Sequence, residues 1–329
     1  MPELRQNLAT KEWVIIADDR AVSPSSLKTG RSKAKAFPAD KDCAFCPGNE
    51  GKAKALYVHG EAAQWKLRVV ANNRPALVSG AARPQAQQKL YRLLPGEGLD
   101  EVIVESPDHG KSLAELDKEQ LEDVIAVYQE RFRASSENMK VSLTMLFKNH
   151  GAAAGTSTQH AHSRLIGSSV VPSHIRHRMD EAQKYFEQNK ECVVCRMNEE
   201  EKAQGSRLVA ENGHFLAYVL FAALSPFHLW IVPKRHTASF ADLTAAEANA
   251  MAAILKTVLG KLHVGLGDPD YNFVIQSTPQ DRGSTEAFHW YLSLVVRLGG
   301  AAGFELGSGM FLNNVIPEEA AKFLQGVKG

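Results

Sequence analysis

The sequence predicts an α+β fold built from two similar repeats, residues 1–170 and 171–329, each an antiparallel sheet with flanking helices. Two observations carry that expectation. A strand leading to His109, then Leu-Ala-Glu-Leu and a helix, matches a strand leading to His236, then Phe-Ala-Asp-Leu and a helix, with an apolar residue four after each histidine. Beyond each helix a further strand leads through a loop to another histidine, His160 or His289. The separations are 51 and 53 residues (160 − 109 and 289 − 236). A C-x-x-C pair stands upstream in each half, so the order Cys, Cys, His, His occurs twice.

Taken in order, residues 11–18 read as a strand, followed by a polar stretch to about residue 41 and short strands at 55–58 and 67–70. Polar side chains at the end of the second, Asn72 and Asn73, suit hydrogen bonding to a base or sugar, or simply make a turn. A polar loop, 79–99, precedes a strand at 101–105. Apolar residues at Leu113, Leu116, Leu121, Ile125, Tyr128 and Phe132 predict a helix over 113–137. Strands at 141–147 and from Leu165 flank a small-residue turn. Residues 174–202 read as helical and charged, interrupted by the second cysteine pair. Strands at 206–210, 215–220 and 228–232, a helix over 244–263, and strands at 271–276 and 289–297 follow. Residues 299–309 read as a glycine-rich turn region, and Pro317 opens a last helix.

Composition excludes several classes of function. Apolar residues make up 44% and charged residues 23%, values of an ordinary globular protein. A net charge of +1 gives no field for nucleic acid. No apolar run approaches a membrane span, and the N-terminus lacks a signal-peptide core, so a cytoplasmic protein is expected. In that compartment Cys43-Ala-Phe-Cys46 and Cys192-Val-Val-Cys195 read as metal half-sites or redox pairs, not disulfides. Cys46 is followed by Pro-Gly-Asn, a turn and not a helix, which favours metal. Two thiolates and two imidazoles suit tetrahedral Zn²⁺. The predicted sites are Cys43, Cys46, His109 and His160, and Cys192, Cys195, His236 and His289: two structural zinc ions per chain. His228, in Ser225-Pro226-Phe227-His228, mimics Ser106-Pro107-Asp108-His109 and rivals His236.

The two halves differ at one position. Asn149-His150-Gly151-Ala152-Ala153-Ala154-Gly155-Thr156-Ser157 and the following Thr158-Gln159-His160-Ala161-His162 form a small-residue turn closed by a His-x-His pair. Such turns let backbone N–H groups approach an anion. Two residues past His160 stands His162; two past His289 stands Tyr291. Only the first half keeps an imidazole beside its predicted metal ligand.

From about residue 8 to 325, the chain resembles the galactose-1-phosphate uridylyltransferase branch of the histidine-triad superfamily. The resemblance rests on Cys-x-x-Cys-Pro-Gly-Asn, Asn72–Leu77, Ser106–His109, the Asn149–Gly167 motif, Pro233–His236 and Gly303-Phe304-Glu305. It implies two triad-type repeats, the first carrying a nucleophile that the second lacks, usually in a homodimer. It also implies transfer of a nucleotidyl group from a nucleoside diphosphate sugar to a sugar 1-phosphate through a nucleotidyl-histidine. By match to the family motif, His162 is the nucleophile and His160 a zinc ligand. Ser157, with backbone N–H groups of Gly155–Ser157, holds phosphate oxygens. Asn149, Asn72, Asn73 and Arg20 match nucleoside- or phosphate-binding positions, and Glu305 lies in a substrate-contacting segment.

Three departures are Ala161 in place of proline, Arg164 where a phosphate-binding glutamine is usual, and Ser23 where a second arginine is usual. Arg164 is therefore expected beside the transferred phosphate. Residues after Glu305 look more like nucleotide-sugar phosphorylase and adenylyl-transferring relatives. The resemblance thus implies a UDP-glucose:hexose-1-phosphate uridylyltransferase, with an ADP-sugar phosphorylase or adenylyltransferase as the alternative. A zinc-containing nucleotide-binding protein without turnover is the alternative outside enzymes.

Overall fold

The computed structural model describes residues 1–18, 21–29, 40–61, 64–82, 90–156, 158–280 and 285–328. Its centre is one ten-stranded antiparallel sheet in which the two halves meet. The first half contributes β3 (Ala55–Glu61), β4 (Gln64–Ala71), β5 (Gly98–Val104), β6 (Leu143–His150) and β7 (His162–Ser168). The second contributes β8 (Leu208–Glu211), β9 (Phe215–Val219), β10 (Leu229–Pro233), β11 (Tyr271–Gln276) and β12 (Tyr291–Val296). The spatial order is β3-β4-β5-β7-β6-β11-β12-β10-β9-β8. Read inward from either edge, the two halves follow the same sequence of strands. Each also places one long helix between its third and fourth strands: α1 (Lys118–Ser136) and α4 (Ala245–Leu266). The expected pair of sheets is thus continuous, joined where β6 runs antiparallel to β11 from Leu146↔Ile275 to His150↔Tyr271.

Helix boundaries follow capping chemistry. α1 begins at Lys118 and not near 113, because the Asp117 side chain accepts the Gln120 N–H and sets the N-cap. α4 opens on a capping box in which Thr244 and Glu247 satisfy each other's backbone N–H groups. The charged segment after His174 forms two helices, α2 (Ser173–Asn189) and α3 (Val193–Gln204). Lys190, at φ 60°, ends the first, and Cys192 caps the second. Residues 299–309 correct the sequence expectation: Gly303–Ser308 is a short helix, α5, whose Glu305 carboxylate accepts the Ala302 N–H. α6 (Pro317–Gly326) begins at its proline as expected. A separate three-stranded sheet contains the strand expected at 11–18, while its two other strands had little sequence signal. It pairs β1 (Glu3–Gln6) with β2 (Trp13–Ile16), and β2 in parallel with β13 (Phe311–Asn313).

α1 and α4 cover one face of the large sheet and form the main core with it. The Phe132 ring meets Phe240 edge-on at 5.7 Å, and the Gln129 amide donates to the Ala241 and Leu243 carbonyls of the other half. Along β7, burial alternates: Ser163, Leu165 and Gly167 are buried, while His162, Arg164 and Ile166 are half-buried on the opposite face. Among the described residues, no helix is long and apolar enough to cross a membrane.

Candidate active site and metal centres

β6 delivers Asn149 and His150 to the rim of a cavity of about 420 Å³ that is also lined by Lys148, Gly151, His160 and His162. The turn between β6 and β7 is held from the second half. Gly151 stands at φ 84°, and a Cβ there would lie 1.9 Å from the Asp270 Oδ1, so only glycine fits. The same Asp270 accepts the Ala153 N–H at 2.6 Å, and Asn272 donates to the Asn149 Oδ1 at 2.8 Å and the Ala154 carbonyl at 2.9 Å.

His162 opens β7. Its Nδ1 lies 2.8 Å from the His160 carbonyl, which can only accept, so Nδ1 carries the proton and Nε2 keeps its lone pair. Burial is the main cause that pushes its pKa down, and the carbonyl bond opposes that. The resulting neutral imidazole, whose Nε2 has no hydrogen-bond partner among the described residues, is what nucleophilic attack on phosphorus needs. Phe45, inside the first cysteine pair, packs its ring 5.4 Å from that of His162.

The structure brings each predicted quartet together. Cys43, Cys46, His109 and His160 are all buried, with ligand atoms within 4.8 Å of one another. The Cys46 Sγ is 3.1 Å from the His109 Nδ1 and 3.6 Å from the His160 Nδ1. Cys192, Cys195, His236 and His289 form the second cluster, with the Cys195 Sγ 3.4 Å from the His236 Nδ1 and 3.3 Å from the His289 Nδ1. A tetrahedral zinc with its usual bond lengths sets such S···N edges at about 3.5 Å, so the donor sets fit the metal. Ring orientation agrees: the His160 Nε2 donates to the Ser106 carbonyl at 2.7 Å, turning Nδ1 toward the sulfurs. Burial holds the His160 pKa down at about 4, which keeps the ring neutral and able to ligate. His228 is elsewhere. Its Nε2 meets the Ser293 Oγ at 2.9 Å and its Nδ1 accepts the Leu224 N–H, so His236 is the member of the second cluster.

Other expectations fare differently. Arg164 does not line the cavity; it crosses to β5, where it donates to the Asp100 Oδ2 at 2.6 Å, and its guanidinium lies 5.6 Å from the Phe147 ring. Its charge is therefore balanced by a buried carboxylate. The Gly155 N–H donates to the Ala152 carbonyl at 3.0 Å and the Thr156 N–H to that of Gly151 at 3.4 Å, so the turn itself uses these donors. Asn72 accepts the Arg74 N–H, Asn73 donates to the Lys52 carbonyl, and neither lines the cavity. Nor does Glu305, on α5. Arg20 and Ser157 lie outside the described residues. Sequence reasoning missed Glu105, Lys148 and Asp270. The first two had a signal: each is a charged residue closing an otherwise apolar strand pattern.

Comparison with known proteins agrees with this geometry. Residues 1–172 match the N-terminal domain of galactose-1-phosphate uridyl transferase, and residues 178–294 match its C-terminal domain. The chain is 34% identical over 332 residues to an ADP-glucose phosphorylase of Arabidopsis thaliana, covering 99% of this chain and 93% of that protein. It is 27% identical over 335 residues to a galactose-1-phosphate uridylyltransferase of Thermotoga maritima, covering 99% and 98%. A crystal structure of the Arabidopsis ADP-glucose phosphorylase with bound ADP-glucose superposes with a TM-score of 0.84 at 32% identity, covering 100% of this chain and 99% of that one. A uridylyltransferase structure gives 0.78 at 26%, covering 99% and 97%. With both domains matched in order and the two Cys/His clusters and the His-x-His turn in place, the chain belongs to the galactose-1-phosphate uridyl transferase family.

Proposed function

We propose that this chain is a nucleotidyltransferase that uses nucleoside diphosphate sugars as donors and carries the nucleotidyl group on His162. The observation that supports it best is the His162 ring, which lines the cavity and is fixed through Nδ1 by the His160 carbonyl, leaving the Nε2 lone pair for attack. In the first step Nε2 bonds to the α-phosphorus, and the bond from that phosphorus to the bridging oxygen breaks. Sugar 1-phosphate leaves with the electron pair. In the second step a phosphate oxygen of the acceptor bonds to the same phosphorus, and the P–N bond breaks. Splitting one transfer in two is the use of a nucleophile that is also a good leaving group.

The two Cys/His clusters each hold one zinc ion in this reading, and all four ligands come from protein, so the metals fix loops and take no part in the chemistry. The chain works as a homodimer in the cytoplasm, where thiols stay reduced and available to metal. For the donor, 34% identity to an ADP-glucose phosphorylase against 27% to a uridylyltransferase favours adenylyl transfer. The departure after Glu305 points the same way. Uridylyl transfer between UDP-glucose and a hexose 1-phosphate is the second reading, supported by the two matched domains.

Incubation with α-³²P-labelled ADP-glucose and UDP-glucose in separate reactions tests both. An acid-labile labelled protein is expected, stronger with ADP-glucose. Stronger label from UDP-glucose reverses the choice of donor, and no label from either leaves a zinc-containing nucleotide-binding protein.

A further inference from the structure

Beneath the His162 strand, on the helix-covered face of the sheet, lies a buried polar network. Glu105 and Lys148 are 0% and 1% exposed and form an ion pair at 2.5 Å. The Glu105 carboxylate also accepts from the Tyr128 hydroxyl and from the Ser163 Oγ. The Lys148 ammonium spends a second donor on the His162 carbonyl at 3.1 Å. The Glu105 N–H donates to the Ala161 carbonyl at 3.2 Å, and the His162 ring takes the His160 carbonyl. Three consecutive carbonyls around the nucleophile are therefore each held by a defined donor: that of His160 by the His162 ring, that of Ala161 by the Glu105 backbone, and that of His162 by the Lys148 ammonium, which the Glu105 carboxylate holds in place.

The second half supplies an internal control. Strand register aligns Ser163 with Leu292 and Lys148 with Ile275, once His162 is set opposite Tyr291. It places Glu105 at Pro233. Counting from the N-caps Asp117 and Thr244, Tyr128 falls at Leu255. Leu255, Ile275 and Leu292 are buried and apolar. The same fold position thus packs without charge in the half that has no nucleophile. Burying an ion pair costs desolvation that apolar packing avoids, so stability does not account for keeping it.

We infer that Lys148 and Glu105 are positioning residues for His162. They fix the backbone of residues 160–162 so that Nε2 points along the line of attack on phosphorus. This rests on the reading of His162 as the nucleophile. A misplacement of about 1 Å at a reacting atom costs on the order of a hundredfold in rate.

Two variants test it. Lys148→Met with Glu105→Gln removes both charges at nearly constant volume. Lys148→Ile, Glu105→Val, Tyr128→Leu and Ser163→Leu together give this half the apolar character of the other. Metal content, melting temperature, affinity for ADP or UDP, and the single-turnover rate of adduct formation are measured for each. The expected result is wild-type metal content, stability and nucleotide affinity with adduct formation slowed about a hundredfold, so that kcat falls and KM hardly moves. A folded variant forming adduct at the wild-type rate overturns the inference and leaves the function intact. Failure of both variants to fold or to hold metal also overturns it, because the network is then structural. Absence of adduct in the wild-type protein overturns the reading of His162 itself.

Discussion

His162 and Tyr291 occupy matching places on β7 and β12, each two residues past a member of a Cys/His cluster. A residue shared by both halves is best explained by the scaffold they share, and one present in a single half by chemistry done once. His162→Gly is therefore expected to abolish covalent labelling while keeping metal and fold, since among the described residues the ring's one hydrogen bond is to the His160 carbonyl. His160→Ala is expected to lose metal from the first cluster and melt earlier, with activity falling as a consequence; elemental analysis and calorimetry separate the two outcomes. Wild-type labelling of the glycine variant would sink the assignment. His228 makes stability sensitive to acid. Full burial, with a smaller contribution from Arg178, holds its pKa down at about 3 from an ordinary value of 6.5. Below pH 6.5 the unfolded chain binds a proton at this residue that the folded chain refuses. Stability contributed here is complete above pH 6.5 and is lost as pH falls toward about 3. Urea melts between pH 7 and pH 4 are expected to show a shallower acid loss for His228→Gln than for wild type. Parallel curves would mean that His228 is protonated in the folded state.

The β6–β7 turn is the element on which the site depends, and its shape is set from outside it. Asp270, in the loop entering β11, fills the space a side chain at residue 151 would need. Gly151→Ala is expected to lose about 1–3 kcal/mol from its backbone conformation alone. The collision with Asp270 adds to that and pushes the turn away from His162. Slower adduct formation together with an earlier melt is the expected pair of changes; an unchanged melt would show that Asp270 can swing aside. This element also marks where sequence reading ended. The quartets were legible because their order repeats, and the long helices and most strands because their apolar spacing does. Arg164 was not. Its side chain could be assigned to the phosphate by motif, but Asp100, two strand positions beyond its partner Val102 on β5, captures it, and only the β5–β7 register reveals that pairing. The helix at Gly303–Ser308 was hidden by its glycines, which depress helix propensity, and is held by the Glu305 carboxylate at its first turn. β1 is short and mostly polar, and β13 is short and finds its partner far away in sequence, which no local pattern records.

The two halves of the molecule share one sheet and one core. The β6–β11 ladder supplies five residue pairs at the seam, and α1 packs across it through Phe132 against Phe240, in the short turn that leads into α4. The Gly151 turn of the first half leans on Asp270 of the second, and Asn272 reaches back to Asn149, so the proposed active site is itself built across the junction. Separating the chain near residue 170 would leave each half with one unpaired strand edge, that of β6 or of β11, beside an apolar surface. Such an edge is a template for aggregation, and the exposed helix face adds a second apolar patch. The matched family domains end and begin at 172 and 178, which places a cut between them at the start of α2. Expressed singly, each half is expected to be insoluble or to form mixed oligomers. Expressed together, they are expected to copurify in equal amounts and to recover labelling at His162, because the ladder and the Asp270 contact need no covalent link. Size-exclusion chromatography with light scattering reads the outcome. A first half that is monomeric alone, melts cooperatively and still forms the adduct would show that the repeats are independent and that the seam only joins them.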